Sequence, residues 1–275
     1  MTSAAGKIAG PLPKPGVFEA PSQAFVLIRG HPIQLMAPFA IVYGLTVAER
    51  FVFRDLITDS GQLSTEWVLL LAFGQLFLQT LGWAAVIVMV GALARGGAPS
   101  LASAFGQVCR KLILLIVLFV LWATTLILAS VPGWVTLGVT AAAGASDWLT
   151  TVLALAIGLP VFLYLMTRVG LAYPGLMLDE AGPQETIRES WTLTHGHVLR
   201  LLWIILVAVV ATEALEVGLG QLFGFAGGNA RTIGTGIVGI PLDAFSVAAL
   251  TLFYLHIRYP GAKRGSTAPS QWGPA

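Results

Sequence analysis

The chain has 275 residues, of which 56% are hydrophobic and only 10% are charged, and its mean hydropathy is +0.84. Because soluble domains carry about 25% charged residues, this composition excludes an ordinary soluble fold and indicates a protein that lies in lipid. The single cysteine, Cys109, cannot form an internal disulfide, and we interpret it as a small packing residue, with a palmitoylated or reactive thiol as the alternative.

The first 20 residues form a polar segment that contains the sequence PLPKPG and has no apolar core of its own. A cleaved signal peptide needs such a core, so we expect a flexible tail here and an uncleaved signal anchor in the first span. At the other end of the chain, residues 260–275 are predicted to form a second disordered tail.

Between the tails lie six continuous runs of Leu, Val, Ile and Ala. A helix needs roughly 20 residues to cross a hydrocarbon core about 30 Å thick, and these runs approach or exceed that length. They lack period-two alternation, which favours helices over strands. The predicted spans are residues 33–49, 67–94, 112–131, 148–178, 198–218 and 233–256. The sequence therefore predicts an all-α integral membrane protein with a single six-helix domain at residues 21–259.

Lys and Arg are concentrated on one side of this predicted topology. Of the 15 basic residues, 12 lie in the two tails and in the second and fourth connections: Lys7, Lys14, Arg29, Arg95, Arg110, Lys111, Arg168, Arg188, Arg200, Arg258, Lys263 and Arg264. Because basic loops stay in the cytoplasm, we expect both termini there, in a multi-pass protein of a bacterial inner membrane. The net charge of +2 follows from this topology and does not indicate a nucleic-acid partner.

Internal repeats are visible at three places in the chain. The segment AFVLIRGHPIQLM from Ala24 aligns with SWTLTHGHVLRLL from Ser190, at an offset of 166 residues, which is twice 83. The motif IGLP at 157–160 recurs as VGIP at 238–241, and ARGGAP lies 84 residues before DEAGP. We predict three units, at residues 21–98, 99–182 and 183–259, each a cytoplasmic interfacial helix followed by a transmembrane hairpin.

The clearest interfacial helix follows Pro183, a residue suited to the first turn of a helix. Apolar or small residues recur at helical spacing while charged residues point elsewhere, which predicts an amphipathic helix in the headgroup layer. Trp191 is expected to anchor it, with Phe25 and Phe105 in the same role in the other units. Gly196 is where the chain is predicted to turn into the fifth span.

The region 164–207 resembles a bacterial membrane-domain family that is named after the membrane part of glycerophosphoryl diester phosphodiesterases. The residues that carry the resemblance are Arg168, Pro174, Glu180, Gly182, Ser190, Trp191, Leu193, Gly196 and Arg200. The ending FYLHIRYP is similar to the last span of that family, with Tyr254 and Arg258 matching and His256 where Asp is commoner. The resemblance implies a membrane domain without an established activity.

Hydrolysis does not come with this resemblance. In the members that give the family its name, a separate soluble barrel carries out the phosphodiester chemistry, and such a barrel takes about 250 residues. The present sequence has no soluble block of comparable size. It also lacks the P-loop, HExxH, GxSxG and CxxC patterns, so we expect no catalytic residues, no cofactor and no enzymatic activity.

Arg168 is the most informative single charge. It lies roughly 30 Å along the predicted fourth span, near the cytoplasmic boundary. There its side chain is expected to snorkel, to pair with Glu180 or Glu189, to hold a lipid phosphate, or to serve a transport path. The residues predicted to contact lipid or a partner are Arg168, Arg188, Trp191, Arg200, Phe25 and Arg29.

Three carboxylates lie at membrane depth in the predicted fifth and sixth spans. Glu213 and Glu216 are three residues apart and share a helical face, and Asp243 follows Pro241. They form either an intramembrane polar cluster or ordinary wet carboxylates near the outer interface. Pro160 and Pro241 are expected to kink their spans, with Gly158 and Gly239 easing the bends.

The histidines do not form a metal-binding pattern. His195 and His197 flank Gly196, and His31 is the counterpart of His197 in the first unit. A metal site needs three or four converging ligands, so we expect interfacial hydrogen bonding and no metal.

These patterns favour a non-enzymatic, lipid-interacting scaffold or accessory subunit that supports envelope homeostasis or a larger membrane complex. The expected partners are membrane phospholipids and other membrane proteins. The alternative is a small-solute or lipid transporter that uses Glu213, Glu216 and Asp243, because repeats and broken helices are common in transporters.

Overall fold

The computed structural model describes residues 19–59, 65–207, 210, 214, 218 and 228–259, with side chains described for 19–48, 70–207, 210, 214, 218 and 237–259. Across these residues the chain is helical with short connections, which confirms the all-α class. The helices are α1 (Glu19–Gly30), α2 (Pro32–Asp59), α3 (Thr65–Ala94), α4 (Leu101–Arg110), α5 (Leu112–Ala142), α6 (Asp147–Val169), α7 (Ala172–Leu178), α8 (Pro183–Leu193), α9 (Val198–Val207) and α10 (Gly228–Arg258).

Four stretches are long and apolar enough to cross a membrane: Leu70–Ala94, Leu112–Ala142, Asp147–Leu178 and Ile237–Arg258. They coincide with the second, third, fourth and sixth predicted spans. A fifth is reached only if α1 and the first part of α2, which meet at 91°, count as one broken span. The continuous described part of the predicted fifth span is α9, a shorter apolar helix, so the count of six remains a prediction.

α5 is longer than its sequence predicts. The predicted span ends at residue 131, but the helix continues through Pro132 to Ala142. Proline removes one backbone hydrogen bond without ending the helix, because the residues beyond it are apolar and pack on α6. α5 and α6 therefore form a long hairpin closed by a turn at Gly144, whose φ of 73° favours glycine.

The backbones of α5 and α6 approach closely at Gly133 and Gly158. A Cβ added at Gly158 would lie 2.9 Å from the Cα of Gly133, closer than side-chain atoms are found to backbone. Gly158 thus serves helix packing, as small residues do between membrane helices. The expectation that it eases a bend at Pro160 stays a prediction beside this packing role.

The three short helices α1, α4 and α8 pack in one consistent way. α4 packs on α3 and α8 on α7, so each lies on the end of the helix that precedes it in the chain. α1 packs on α10, the last helix. Each of the three leads into the start of the next helix, namely α2, α5 or α9, and all three lie at the same end of the helix bundle. We call this end the junction end.

The helices that these short helices cover are buried on every side near the junction end. The buried runs are residues 84–90 of α3, 171–177 around α7 and 251–256 of α10. α3 contacts both α7 and α10, and these buried runs belong to one hydrophobic core. By contrast, α5 and α6 leave most of their apolar surface exposed.

Candidate functional site

The candidate site lies where the end of α6 meets α8. α6 ends at Val169, and two turn residues separate it from α7. This break lets a side chain reach the last carbonyls of α6, because they no longer belong to a continuous helix. The hydroxyl of Ser190 donates to the carbonyl oxygen of Arg168 at 2.6 Å, which fixes α8 against the break.

The guanidinium of Arg168 lies at the C-terminal end of α8. Its Nη1 donates to the carbonyl oxygen of Trp191 at 2.9 Å and to Oγ1 of Thr194 at 3.2 Å, and Nη2 donates to Oη of Tyr164 at 3.0 Å. Thr194 in turn donates to the carbonyl of Ser190 at 2.8 Å, which leaves its lone pairs for the arginine. A cation is favoured here because the C-terminal end of a helix carries partial negative charge.

Two aromatic rings flank the same guanidinium. Its central carbon lies 5.1 Å from the ring centroid of Tyr164 and 5.0 Å from that of Trp191, and the two rings are perpendicular. Arg168 itself is only 7% exposed, whereas both rings are 42% exposed. Each ring provides a cation–π contact, and together they shield the charge from the surroundings.

Arg168 has no carboxylate partner among the described residues. The expected pairing with Glu180 or Glu189 is not found, because Glu189 pairs instead with Arg258, at 3.4 Å between Oε1 and Nη2. The Nε of Arg168 is buried and has no hydrogen-bond acceptor in the described part of the chain. We call the set Tyr164, Arg168, Ser190, Trp191 and Thr194 the arginine site.

A second polar cluster lies beside the arginine site, around Asp179 at the end of α7. The Asp179 carboxylate accepts hydrogen bonds from Oη of Tyr254 at 2.6 Å and from Oη of Tyr259 at 2.9 Å. It also forms an ion pair with Nε of Arg258 at 3.4 Å. Burial and the hydrogen bond to Asp179 raise the pKa of the Tyr259 phenol, so this group donates throughout the ordinary pH range. The cluster fastens the end of α10 to α7 and, through Glu189, to α8.

Lys111 caps the C-terminal end of α7. Its ammonium donates to the carbonyl oxygens of Leu176 and Asp179, both at 2.6 Å. Burial lowers the pKa of Lys111, and the carboxylates of Asp179 and Glu180 oppose that shift. The C-terminal ends of α7 and α8 are therefore each capped by a cation, Lys111 and Arg168 respectively.

The other residues predicted to contact lipid or a partner lie on the surface. Arg188 and Arg200 are exposed on α8 and α9, two residues before Ser190 and six residues after Thr194. Phe25, which is 62% exposed, and Arg29 belong to α1 and hence to a different junction, that of α1 with α10. The expected turn at Gly196 is confirmed by its φ of 82°.

The predicted carboxylate cluster stays a prediction. Glu213 and Glu216 lie outside them, and Asp243 is half-buried within α10. Among described residues, no three side chains of His, Cys, Asp or Glu are placed to share a metal ion. His31 and His195 are exposed and His197 is half-buried.

Cys109 is exposed, so the interpretation of it as a packing residue is wrong. The buried face of α4 is formed by Ala104 and Val108, and Cys109 follows one position later, where a helix turns its side chain to another face.

Sequence reasoning missed the hydroxyl-bearing face of α8. Its buried residues are Thr186, Ser190 and Thr194, spaced by four, whereas the predicted face consisted of Ile187, Trp191, Thr194 and Val198 and shared only Thr194 with it. The equivalent face of α1 has the same spacing in Ala20, Ala24 and Ile28. Small residues at positions i, i+4 and i+8 in aligned units were the available signal.

Comparisons with known protein families, with curated proteins and with solved structures gave no match.

Proposed function

We propose that this chain is a non-enzymatic, lipid-interacting scaffold or accessory subunit of a bacterial inner membrane. In this proposal six spans form three hairpins, and both termini are cytoplasmic. The membrane part rests on the four or five candidate spans. The cytoplasmic placement rests on the basic residues of the junction end, which follow the rule for inner-membrane loops.

The packing of the short helices supports the three-unit arrangement. α4 covers the end of the first hairpin, α8 covers the end of the second, and α1 covers the end of α10. The pattern closes on itself, as expected for three equivalent units around a centre. The repeat and the resemblance to the membrane-domain family remain parts of the proposal.

One observation carries the functional proposal: α1 and α8 each bury small residues and leave a large apolar side chain outside. On α1, Ala20 and Ala24 are fully buried while Phe25 is 62% exposed. On α8, Ser190 is buried while Trp191 is exposed. A helix that lies flat in the headgroup layer presents apolar groups in this way, and Trp is favoured at that depth.

Site-specific photo-crosslinking in intact cells tests this proposal. A photoreactive amino acid at Phe25 or Trp191 should capture phospholipid or one recurring membrane protein, whereas the matched control at Trp148, exposed at the other end of the α5–α6 hairpin, should capture neither selectively. If the purified chain retains no specific phospholipid and neither junction-end position yields a recurring partner, the scaffold proposal fails.

The transporter alternative is not favoured by any described contact, since Glu213 and Glu216 lie outside the described residues. A flux assay in liposomes separates the two, because a scaffold should carry no solute. We likewise expect no hydrolysis of glycerophosphodiesters by the purified chain.

A further inference from the structure

The arginine site has two apolar counterparts in the same molecule. The three units can be aligned on the fully buried leucines Leu35, Leu115 and Leu201, each of which follows its short helix. The residue 11 positions earlier is buried in every unit and is Ala24, Ala104 or Ser190.

The same alignment extends to the arginine and to its acceptor. Seven positions before the leucines stand Ile28, Val108 and Thr194. ARGGAP lies 84 residues before DEAGP, and IGLP at 157–160 lies 81 residues before VGIP at 238–241. By these two offsets Arg168 corresponds to Ala84 in α3 and to Ala249 in α10. Both alanines are fully buried, at 0% exposed.

Two of the three junctions are therefore built with apolar residues at the positions where the third has an arginine and two hydroxyls. Packing a short helix onto the preceding helix does not require a charge, and burying one without a carboxylate is unfavourable. The polar set at the α6–α8 junction thus calls for a role other than packing.

Resting on the proposed lipid-interacting function, we infer that the arginine site binds the phosphate of an anionic phospholipid. Nη1 is occupied by Trp191 and Thr194, but Nε has no protein acceptor among the described residues and Nη2 has only the phenol of Tyr164. Nε and Nη2 form the edge of a guanidinium that matches two phosphate oxygens.

The position of the site selects a lipid phosphate. Arg168 lies 21 residues after the start of the candidate span Asp147–Leu178, which is about 30 Å along it at 1.5 Å per residue and matches the thickness of a hydrocarbon core, so its side chain reaches the headgroup layer. Tyr164 and Trp191 flank the guanidinium and are partly exposed, so their rings are the cover that moves when a headgroup approaches Nε.

The test uses the full-length protein in nanodiscs of phosphatidylcholine with and without phosphatidylglycerol, with bound lipid counted by native mass spectrometry. R168A installs the alanine of the other two junctions, and R168K keeps the charge but loses the two-donor edge. R110A removes an exposed charge from α4 and is the matched control. We expect retention of phosphatidylglycerol to weaken about tenfold in R168A, less in R168K and not in R110A.

Three results would each overturn a different part of the proposed lipid binding. If the wild type retains no anionic lipid over phosphatidylcholine, the proposed lipid-interacting function itself fails. If the wild type retains anionic lipid, and if R168A retains it equally while its thermal denaturation curve shows that it is folded, only the assignment to Arg168 fails. If glycerol 3-phosphate in detergent occupies the site as tightly as the lipid does, the ligand is a soluble phosphate ester and not a membrane lipid.

Discussion

Arg168 contacts Trp191 through both its side chain and its backbone. The guanidinium carbon lies 5.0 Å from the indole centroid, and Nη1 donates to the carbonyl oxygen of the same residue at 2.9 Å. One cation thereby fixes the direction of the indole and the end of α8 together. A contact that holds only the ring would leave the helix end free, and one that holds only the carbonyl would leave the ring free.

The cation–π contact should be measurable by changing Trp191. Trp191→Leu keeps an apolar side chain but removes the ring, so we expect the free energy of unfolding to fall by about 1 kcal/mol. Trp191→Phe keeps a ring and should lose less. Unfolding in mixed micelles, followed by circular dichroism, measures both. Equal losses for Leu and Phe would show that the ring's attraction for Arg168 contributes nothing.

The polar groups of the arginine site should be coupled. Thr194→Val leaves Nη1 of Arg168 with one acceptor fewer, and we expect a loss of about 1–3 kcal/mol in the free energy of unfolding. The triple change Arg168→Ala, Ser190→Ala and Thr194→Val recreates the apolar set of the other junctions. It should be less destabilising than the sum of the single changes, because no buried polar group is left unpaired. Strictly additive losses would contradict the coupling.

Asp179 should control the order of the end of α10. Asp179→Asn removes the charge that pairs with Arg258 and weakens the acceptor shared by Tyr254 and Tyr259. We expect faster hydrogen–deuterium exchange in residues 250–259 and a loss of about 1–3 kcal/mol in the free energy of unfolding. Glu180→Gln is the control, since its side chain is exposed. Identical exchange in the two variants would show that Asp179 does not fasten α10.

The close contact between α5 and α6 should tolerate no side chain at Gly158. Gly158→Ala places a Cβ 2.9 Å from the Cα of Gly133, so the helices must separate, and we expect a loss of about 1–3 kcal/mol in the free energy of unfolding. Gly138→Ala on α5 is the matched control, because nothing lies within 4 Å of its added Cβ. That control should be neutral or slightly stabilising, given the higher helix propensity of Ala. A hairpin that accepts both changes equally would not depend on this contact.

The apolar parts of the fold were predictable because lipid imposes a simple rule on them. Four of the predicted apolar runs coincide with candidate spans in the structure. The turn at Gly196 was predictable because glycine favours positive φ. The length of α5 was missed because Pro132 suggests a helix end, whereas lipid and α6 stabilise the helix beyond it.

The polar contacts were not predictable from local pattern. Tyr254 and Tyr259 lie 75 and 80 residues from Asp179 in sequence, and only the packing of α10 beside α7 brings them together. Glu189 was one of the two expected carboxylate partners of Arg168, yet it pairs with Arg258 from α10. Which cation pairs with Glu189 depends on how distant helices pack together. The spacing of residues along a single sequence does not give that packing.

The packing of α1 on α10 also orders events during synthesis. α1 leaves the ribosome before the other described helices, and the helix that covers its buried alanines is completed more than 220 residues later, the last of those described. At ordinary translation rates α1 waits on the order of ten to forty seconds for that partner. Throughout this interval its small-residue face is open to lipid, to chaperones or to a neighbouring chain, so the contact between α1 and α10 forms late in synthesis.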